Sequence, residues 1–423
     1  MSVADSTIPA ATRTDASYEW KAVLIVSLAF GLVGLDRFIL PPLFPFMRDE
    51  LKLNSQDLGN LVGVLGVCWG VSAIIVGNLS DRLGRRAVLV PAVVIFSLLS
   101  VFSGMAAGLM SLLLIRGIMG VAEGAVAPTG VAVAVEASHP KRRGMNNGIF
   151  QCTIALFGLG IAPNLSAWLL GFTSWRNVFL IVGIPGLIVA VIMWFIIREP
   201  TTVGASNSSV QPKRARWLDM FKHRNVPLSM LALLCAMTGI FVISAMMPVY
   251  LIDYLKLTGP QMGFVTSAIG FGGALGQFGL LTISDKIGRK LATLLSFIIA
   301  AVFLYFFINT GANLSTLFGL LFVAAMFNFG ALAILAGPIP AEAAPMGLVA
   351  SVAGLVIGAG EIFGGGVAPS IAGGIAERFG IQYTLWFALG GQVLGLLVSL
   401  FLRETAPSKS AAGGEVSVLD RAG

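Results

Sequence analysis

The stretch GNLSDRLGRR, residues 77–86, has a second copy in the chain, LTISDKIGRK at residues 281–290. When Asp81 is aligned with Asp285, the copies share Ser, Asp, a base, an aliphatic residue, Gly, Arg and a second base in register. A single basic loop between apolar segments is common, whereas a matched pair about half a chain apart is the signature of an internal repeat. The pair therefore predicts a fold made of two repeated halves.

The amino-acid composition predicts that both halves lie in a membrane. Of the 423 residues, 57% are hydrophobic and 11% are charged, and the mean hydropathy is +0.90. Soluble domains carry about 25% charged residues, so this chain is too apolar for a single core in water. We expect an all-α membrane protein, because helices satisfy their own backbone hydrogen bonds in lipid.

Twelve apolar segments are long enough to cross a bilayer, which takes roughly 20 residues of helix. The third and fourth are separated only by Gly108. An even number of spans places both termini on the same side of the membrane. The predicted spans are residues 21–46, 57–79, 86–107, 109–135, 144–171, 176–197, 226–252, 261–283, 290–309, 315–338, 346–374 and 382–402.

Lys and Arg residues are distributed unevenly between the predicted loops. With the N-terminus inside, 20 of the 27 lie in inner segments, five lie in outer loops and two lie within spans. The positive-inside rule then places both termini in the cytoplasm, and we expect a multi-pass protein of the inner (plasma) membrane. This orientation accounts for the net charge of +7 without a nucleic-acid partner.

The longest inner connection, residues 198–225, is rich in Ser, Pro, Lys and Arg, which is typical of a flexible linker. It separates two six-helix bundles at 21–197 and 226–402. A cytoplasmic tail precedes them at 1–20, and a second one follows at 403–423. The first apolar run lacks a small-residue cleavage site, so we interpret it as an uncleaved span.

Each copy of the repeated loop contains residues with a recognisable structural use. Gly84 and Gly288 permit a sharp turn after a helix. Asp81 and Asp285 are placed to cap a helix N-terminus or to pair with a nearby base, and the basic residues anchor the loop at the inner headgroups.

With the loop and the repeat in place, the chain resembles the major facilitator superfamily over essentially its whole length. GNLSDRLGRR matches that family's signature between spans 2 and 3, and WRNVF at residues 175–179 resembles its motif leading into span 6. The resemblance implies twelve helices in two bundles that rock about a central site. It also implies a charge relay in the loops that latches one conformation. The residues carried over to this latch are Gly77, Asp81, Arg82, Gly84, Arg85, Asp285 and Arg289.

Five charged residues lie in the interior of the predicted spans, away from their ends: Asp36, Arg37, Arg116, Glu123 and Glu361. A charge at mid-membrane costs at least about 2.5–3.5 kcal/mol, so such residues face a protein interior or a watery cavity. In a structural interpretation, ion pairs between spans 1 and 4 fix the helix register. In a functional interpretation, the arginines bind a substrate anion and the acids carry protons, because an acid beside a movable anion has a protonation state linked to binding.

A closer resemblance favours the functional interpretation. The Asp36–Arg37 pair, together with RGIMGVAEGAVAPTG at residues 116–130, is similar to the anion:cation symporter branch, which includes galactonate and hexuronate carriers. The resemblance implies that Arg37 and Arg116 contact the anion and that Asp36 and Glu123 take up protons. We therefore expect a small organic monocarboxylate, such as an aromatic or sugar acid, as substrate, and a proton gradient as driving force.

The chain departs from that branch at two positions. Gly34 stands where a tyrosine is usual, and Glu361 stands where span 11 usually offers an amide. Glu361 is left with three interpretations: a proton site, a contact to a hydroxylated or cationic part of the substrate, or a structural polar group. The interior amides Gln151, Gln277 and Asn328 are candidates for substrate contact, and otherwise for hydrogen bonds between helices. Three further acids, Glu136, Asp253 and Glu342, lie near span ends, where headgroups solvate them.

Other functions have weaker support in the sequence. No GxxxxGK[ST] motif, metal cluster or nucleophile–base spacing is present, so we expect neither an enzyme nor a cofactor, and Cys68, Cys152 and Cys235 lack a disulfide or metal spacing. The main alternative is a proton-driven exporter, whose span 5 commonly carries Gly-x-x-x-Gly-Pro-x-x-Gly. The equivalent GLGIAPNLS at residues 158–166 keeps only the first Gly and the Pro. We expect a monomer whose partners are an organic anion, protons and the bilayer.

Overall fold

The computed structural model of the protein describes residues 16–139, 142–198, 221–343 and 349–406. For residues 16, 77, 78, 81, 82 and 349–351 it describes only the backbone. Most of the predicted linker and tails, at 1–15, 199–220 and 407–423, lies outside the described residues.

Twelve helical segments are long and apolar enough to cross a membrane, which confirms the prediction of twelve spans. Span 5 consists of two α-helices joined by the π-helical turn Leu156–Ile161, and span 11 is interrupted in the same way by Gly360–Val367. The helices are Ala16–Leu51, Ser55–Leu83, Arg85–Ser103, Leu109–Ala137, Arg143–Ala155 and Ala162–Leu170 (span 5), Trp175–Ile196, Asn225–Val249 with the π-helical turn Tyr250–Tyr254 (span 7), Gly259–Ile287, Arg289–Ile308, Leu314–Ala336 and Pro338–Ala343 (span 10), Val349–Ala359 and Ala368–Phe379 (span 11), and Gln382–Leu400.

Span 1 is longer than the sequence predicts, because its helix continues through Pro41, Pro42 and Pro45 to Leu51. Each proline removes a backbone hydrogen bond, but packing against neighbouring helices keeps such a segment helical in a membrane protein. Span 10 is longer for a different reason, because the short helix Pro338–Ala343 follows Leu314–Ala336.

The packing of the spans follows the sequence repeat. Span 2 packs on span 4 and span 3 on span 6, as span 8 packs on span 10 and span 9 on span 12. Between the bundles, span 2 packs on span 11, span 5 packs on span 8, and spans 1 and 7 contact each other. Spans 1 and 7 lie at the centre, since 89% and 72% of their apolar windows are buried, against 33–56% for the other spans.

Both repeated loops turn at a glycine with positive φ, as the sequence predicts. Gly84 has φ 99° and Gly288 has φ 106°, a region that side chains with a Cβ rarely adopt. We call the end of the molecule that carries these two glycines the repeat-loop end, and the other the opposite end.

Glu404, just after span 12, caps the helix that begins at Arg289. Its carboxylate accepts hydrogen bonds from the backbone N–H groups of Arg289 at 2.8 Å and Lys290 at 3.2 Å. Burial opposes ionisation of this carboxyl, but backbone N–H donors, including those of Thr405 and Ala406, outweigh it and lower the pKa of Glu404 below its usual 4.5. The segment after span 12 is thereby fixed to the repeat-loop end.

Glu404→Gln should lower the free energy of unfolding by about 1 kcal/mol, the usual scale of a lost helix N-cap. A carboxyl with a lowered folded-state pKa contributes stability above its unfolded pKa, and this contribution is lost as the pH falls through the folded value. The difference between parent and variant should therefore be present at neutral pH and shrink below about pH 4.5. Thermal unfolding of the purified parent and variant, at neutral pH and below about pH 4.5, measures this difference. The exposed Glu377→Gln serves as a control, and an equal difference at both pH values would contradict the cap.

Candidate functional site

A cavity of about 240 Å³ lies between the two bundles, on the repeat-loop side of the centre. Of the described residues that line it, two are charged, Arg37 on span 1 and Glu361 on span 11. Gln151 and Gln277 provide amides from spans 5 and 8, and most of the remaining wall is apolar. The aromatic side chains in this wall are Phe30, Phe38, Trp69, Phe241 and Phe329.

Arg37 and Glu361 form an ion pair that joins the two bundles. Nη2 of Arg37 donates a hydrogen bond to Oε2 of Glu361 at 2.8 Å, and the two side chains are only 3% and 8% exposed. The guanidinium carbon lies 4.5 Å from the ring centroid of Phe241 and 5.4 Å from that of Trp69, within cation–π range. The cation is therefore held between one carboxylate and two aromatic faces.

The other three charged residues of spans 1 and 4 lie outside the cavity wall. Asp36 accepts a hydrogen bond from Ser100 Oγ at 2.6 Å. Arg116 donates through Nη1 to the backbone carbonyl of Asp36 at 3.1 Å, and no carboxylate among the described residues forms an ion pair with it. The ion pairs between spans 1 and 4 of the structural interpretation are therefore not formed, because the partner of Arg37 is Glu361 in the second bundle.

Arg116 and Glu123 are buried with incomplete hydrogen bonding. Nε and Nη2 of Arg116 and both carboxylate oxygens of Glu123 find no hydrogen-bond partner within the described part of the chain. Glu123 is close enough to Asp36, Arg37, Arg116 and Glu361 to interact with all of them electrostatically. Because buried polar groups are normally satisfied, this cluster is a place where a proton or a change of conformation has a large energetic effect.

Arg37 has a second face toward the opposite end of the molecule. A separate void of about 10 Å³ there is lined by Arg37, Phe38, Phe241 and Arg116, among others. Arg37, Phe38 and Phe241 line both spaces, and the two rings are stacked with centroids 5.9 Å apart. These three side chains separate the cavity from the void.

The predicted amides are not all at the same site. Gln151 and Gln277 line the cavity. Asn328 on span 10 instead lines a void of about 20 Å³ inside the second bundle, together with Gln392. Gly34, two residues before Asp36, lies at a helix crossing, because a Cβ built there would be 2.5 Å from the backbone carbonyl oxygen of Ile154. Span 5 therefore leaves no space for a tyrosine at this position.

The arginines of the two repeated loops have matching partners. Arg85 bonds to Ser80 Oγ at 2.8 Å and to Glu136 at 2.7 Å. Arg289 bonds to Ser284 Oγ at 2.6 Å and pairs with Asp285 at 2.5 Å and with Glu342 at 3.2 Å. For Gly77, Asp81 and Arg82 only the backbone is described, so their side-chain contacts lie outside the described structure.

Sequence reasoning missed Glu136 and Glu342, because headgroup solvation explained an acid near a span end. A signal was available, since Glu-Ala ends both spans and the two acids are 206 residues apart, close to the spacing of the repeat. The aromatic residues around Arg37 gave no comparable signal, because aromatic residues are scattered through the apolar spans. Their role depends on how the two bundles meet.

At the opposite end, the two bundles are joined by close contacts. Arg48 at the end of span 1 forms a bidentate ion pair with Asp253 at the end of span 7, in which Nη2 lies 3.0 Å from Oδ1. Gln56 Nε2 donates to the backbone carbonyl of Ser370 at 2.9 Å. A Cβ built on Gly66 would lie 2.5 Å from the carbonyl oxygen of Gly365, so glycine allows spans 2 and 11 to meet backbone to backbone. The opposite end is therefore closed.

Comparisons with known proteins agree with this architecture. The model of the Major Facilitator Superfamily matches residues 26–360 and 229–420. A probable L-galactonate transporter of Escherichia coli (strain K12) is 28% identical over 218 residues, which is 48% of this chain and 48% of that protein. The 3-(3-hydroxy-phenyl)propionate transporter of the same organism is 28% identical over 292 residues, which is 65% of this chain and 68% of that protein.

A solved structure extends the comparison to nearly the whole fold. The crystal structure of a bacterial homologue of the human lysosomal transporter Spinster, in its inward-facing and unoccupied conformation, aligns with a TM-score of 0.67 and 19% identity. The alignment covers 91% of this chain and 95% of that one. With twelve spans, two bundles related by an internal repeat, and a family match over most of its length, this chain is a transporter of the Major Facilitator Superfamily.

Proposed function

We propose that the protein is a proton-coupled symporter that imports an organic monocarboxylate, of which an aromatic acid fits best, by alternating access. The observation that carries the proposal is the guanidinium of Arg37, presented to a mainly apolar cavity between the bundles. A buried arginine offers a planar pair of donors that matches one carboxylate. The two relatives named above are designated as carriers of a sugar acid and of an aromatic acid.

The size and the lining of the cavity favour the aromatic acid. Drug-sized ligands occupy pockets of about 300–1,000 Å³, and this cavity of about 240 Å³ suits a smaller molecule such as a single-ring acid. An aromatic ring beside Trp69 and Phe241 gains about 25 cal/mol for each Å² of apolar surface buried. A polyhydroxylated acid would instead leave hydroxyl groups against apolar walls, and each unpaired one costs about 1–3 kcal/mol.

In the proposed mechanism, Arg37 serves both faces of the carrier. It lines the cavity on the repeat-loop side, and it lines the void with Arg116 on the opposite side. We infer that the anion reaches Arg37 past Arg116 when the opposite end is open, and leaves through the cavity when the repeat-loop end is open. In this scheme Arg116 contacts the anion in the alternate conformation, which is the role that the sequence predicts for it.

The driving force follows from the buried acids and the loop charges. Asp36, Glu123 and Glu361 surround Arg37 and Arg116 at the centre of the bundles, where a proton compensates the charge of an entering anion. The basic inner segments orient the repeat-loop end and both termini toward the cytoplasm of a plasma membrane. An inward proton gradient then drives accumulation, without a cofactor.

Uptake by proteoliposomes tests this function. When the pH inside the liposomes is buffered above the external pH, the protein should accumulate 3-(3-hydroxyphenyl)propionate to a higher internal concentration than it reaches without the gradient. A protonophore should abolish this accumulation. Because of the apolar lining, L-galactonate should bind at least about tenfold more weakly, the equivalent of one unpaired polar group. Liposomes without protein, under the same gradient, give the background from diffusion of the neutral acid.

Two results would contradict the proposal. Failure to bind or accumulate any of a panel of aromatic and aliphatic monocarboxylates would remove the anion assignment. Accumulation that requires the reversed proton gradient would instead identify the exporter that the sequence left as the alternative.

A further inference from the structure

The geometry points to a displacement mechanism for proton coupling, in which the substrate carboxylate replaces Glu361 on Arg37 and one proton neutralises the released Glu361. This inference rests on the proposed function, because it takes an organic monocarboxylate as the substrate. It assigns the coupling to the acid on span 11, in the second bundle, and not to Asp36 or Glu123 on spans 1 and 4.

The position of Glu361 is the first support. Its carboxylate occupies the cavity side of Arg37, with Nη2 donating to Oε2 at 2.8 Å. Among the described residues that line the cavity, Glu361 is the one acid, whereas Asp36 and Glu123 lie outside the cavity wall. A carboxylate that enters this cavity therefore meets the guanidinium with a competitor already bound to it. In the absence of substrate, Glu361 imitates the anion.

The chemistry of the exchange is balanced in atoms and charge. Before binding, the site holds the Arg37 guanidinium with the Glu361 carboxylate, and the substrate and a proton are in solution. After binding, the guanidinium holds the substrate carboxylate, and Glu361 is a neutral carboxylic acid with one new O–H bond. No electrons are transferred, and the net charge of the site is the same before and after.

This constant charge explains why neither the anion nor the proton crosses the membrane without the other. An anion that enters without a proton would place two carboxylates on one guanidinium, with side chains only 3% and 8% exposed, where like charges repel strongly. A proton that enters without the anion would leave Arg37 buried with no carboxylate partner, which is equally costly. Only the empty, ion-paired site and the fully loaded site are electrically balanced. One proton is therefore carried for each monocarboxylate.

The surroundings of Glu361 leave few competing titratable groups. Span 1 contributes Arg37 and Asp36, and span 4 contributes Arg116 and Glu123, which interacts electrostatically with Glu361. The stretches of spans 2 and 7 that contact the turn around Glu361, residues 59–74 and 233–245, contain no Asp, Glu, Lys, Arg or His. They contribute two thiols, Cys68 and Cys235. Glu123 is thus the main rival for the proton.

The local backbone is suited to letting Glu361 leave Arg37. Glu361 is the second residue of the π-helical turn Gly360–Val367, which contains three consecutive glycines, Gly364, Gly365 and Gly366. A π-helical turn adds a residue to the helical ladder and is a recurrent feature of functional sites.

Binding measured as a function of pH tests the displacement. For the purified full-length protein, the affinity for 3-(3-hydroxyphenyl)propionate should fall about tenfold for each unit by which the pH is raised into the alkaline range. The reason is that one proton is taken up with each anion. Glu361→Gln removes the competing charge, so its affinity should be high and nearly independent of pH. In liposomes, this variant should exchange substrate but should not accumulate it under a proton gradient.

Two matched variants and one direct measurement complete the design. Glu377→Gln, an exposed acid on the same span, should keep the parent pH slope. Glu123→Gln tests the rival acid: loss of the slope in this variant, while Glu361→Gln keeps it, would transfer the coupling to Glu123 and overturn the displacement. The parent protein in weakly buffered solution should take up one proton per bound anion, a result that does not depend on any variant folding correctly.

The outcomes separate the two proposals. A parent protein that binds no carboxylate at any pH would overturn the proposed function and the displacement together. A parent that binds the acid without proton uptake, or a Glu361→Gln variant that keeps the parent pH slope, would overturn the displacement and leave the anion site intact. A folded Glu361→Gln variant that binds more tightly at alkaline pH than the parent would support it.

Discussion

Arg37→Ala is expected to weaken binding of 3-(3-hydroxyphenyl)propionate by roughly thirtyfold to several-thousandfold and to abolish measurable transport. Truncating one partner of a buried, hydrogen-bonded charge pair costs about 2–5 kcal/mol, and each 1.4 kcal/mol is about tenfold in affinity. The mostly apolar wall offers no second cation to replace it, since Arg37 is the basic residue among the described residues that line the cavity. Equilibrium binding and counterflow in liposomes both measure the loss.

The control variants must separate loss of the anion contact from loss of the fold. Arg37→Ala leaves Glu361 buried without its cation, so the single variant is also expected to be less stable. The double variant Arg37→Ala/Glu361→Gln removes both charges and should recover thermal stability but not binding. Arg378→Ala, at an exposed arginine of span 11, should bind as the parent does. Transport that survives Arg37→Ala would contradict the assignment of the anion site.

Arg37→Lys refines this prediction by keeping the charge and removing the planar fork. Lysine presents a point charge in place of two parallel donors, so we expect intermediate affinity, weaker than the parent by about tenfold. If Arg37 acted only through long-range attraction, the lysine variant would bind as tightly as the parent.

The architecture was predictable from sequence because its determinants are local or repeated. Apolar length defines each span, and the loops at Asp81 and Asp285 reveal the two halves without any knowledge of how they pack. The positive φ of Gly84 and Gly288 follows from the same loops. The extension of span 1 through Pro41, Pro42 and Pro45 was not predictable, since tertiary packing overrides the local preference of proline.

The site was predictable only in part, and helix geometry explains why. Adjacent residues of an α-helix point about 100° apart, and here Arg37 lines the cavity while Asp36 lies outside its wall and bonds to Ser100. The sequence shows that both are buried charges but not which one faces the cavity. The Arg37–Glu361 pair joins residues 324 positions apart in two bundles, and its existence depends on how the bundles meet, which no local pattern encodes. For the same reason, the sequence shows that Gly34 stands where a tyrosine is usual, but it does not show that the backbone of Ile154 excludes a larger side chain there.

Gly66→Val is expected to abolish transport by preventing closure of the opposite end. A Cβ at this position would lie 2.5 Å from the carbonyl oxygen of Gly365 and 3.0 Å from the backbone nitrogen of Gly366, so span 2 must move away from span 11. Backbone atoms cannot yield as a flexible side chain does, and overpacking of this kind usually costs about 1–3 kcal/mol. That cost falls on the conformation with a closed opposite end, because Gly66 faces the other bundle.

The expected result is a carrier arrested with its opposite end open. Leu61, fully buried on span 2 beside the void that Arg37 and Arg116 line, reports on this state when replaced by cysteine in a background with serine at positions 68, 152 and 235. A membrane-impermeant maleimide added from the opposite side should label Leu61→Cys slowly in the parent and rapidly with Gly66→Val. Gly319→Val is the matched control, because a Cβ at Gly319 meets nothing within 4 Å. Slow labelling with Gly66→Val in a folded protein would show that the contact of spans 2 and 11 does not close the opposite end. Alternating access would then need another gate, for which the ion pair of Arg48 on span 1 with Asp253 on span 7 is the next candidate.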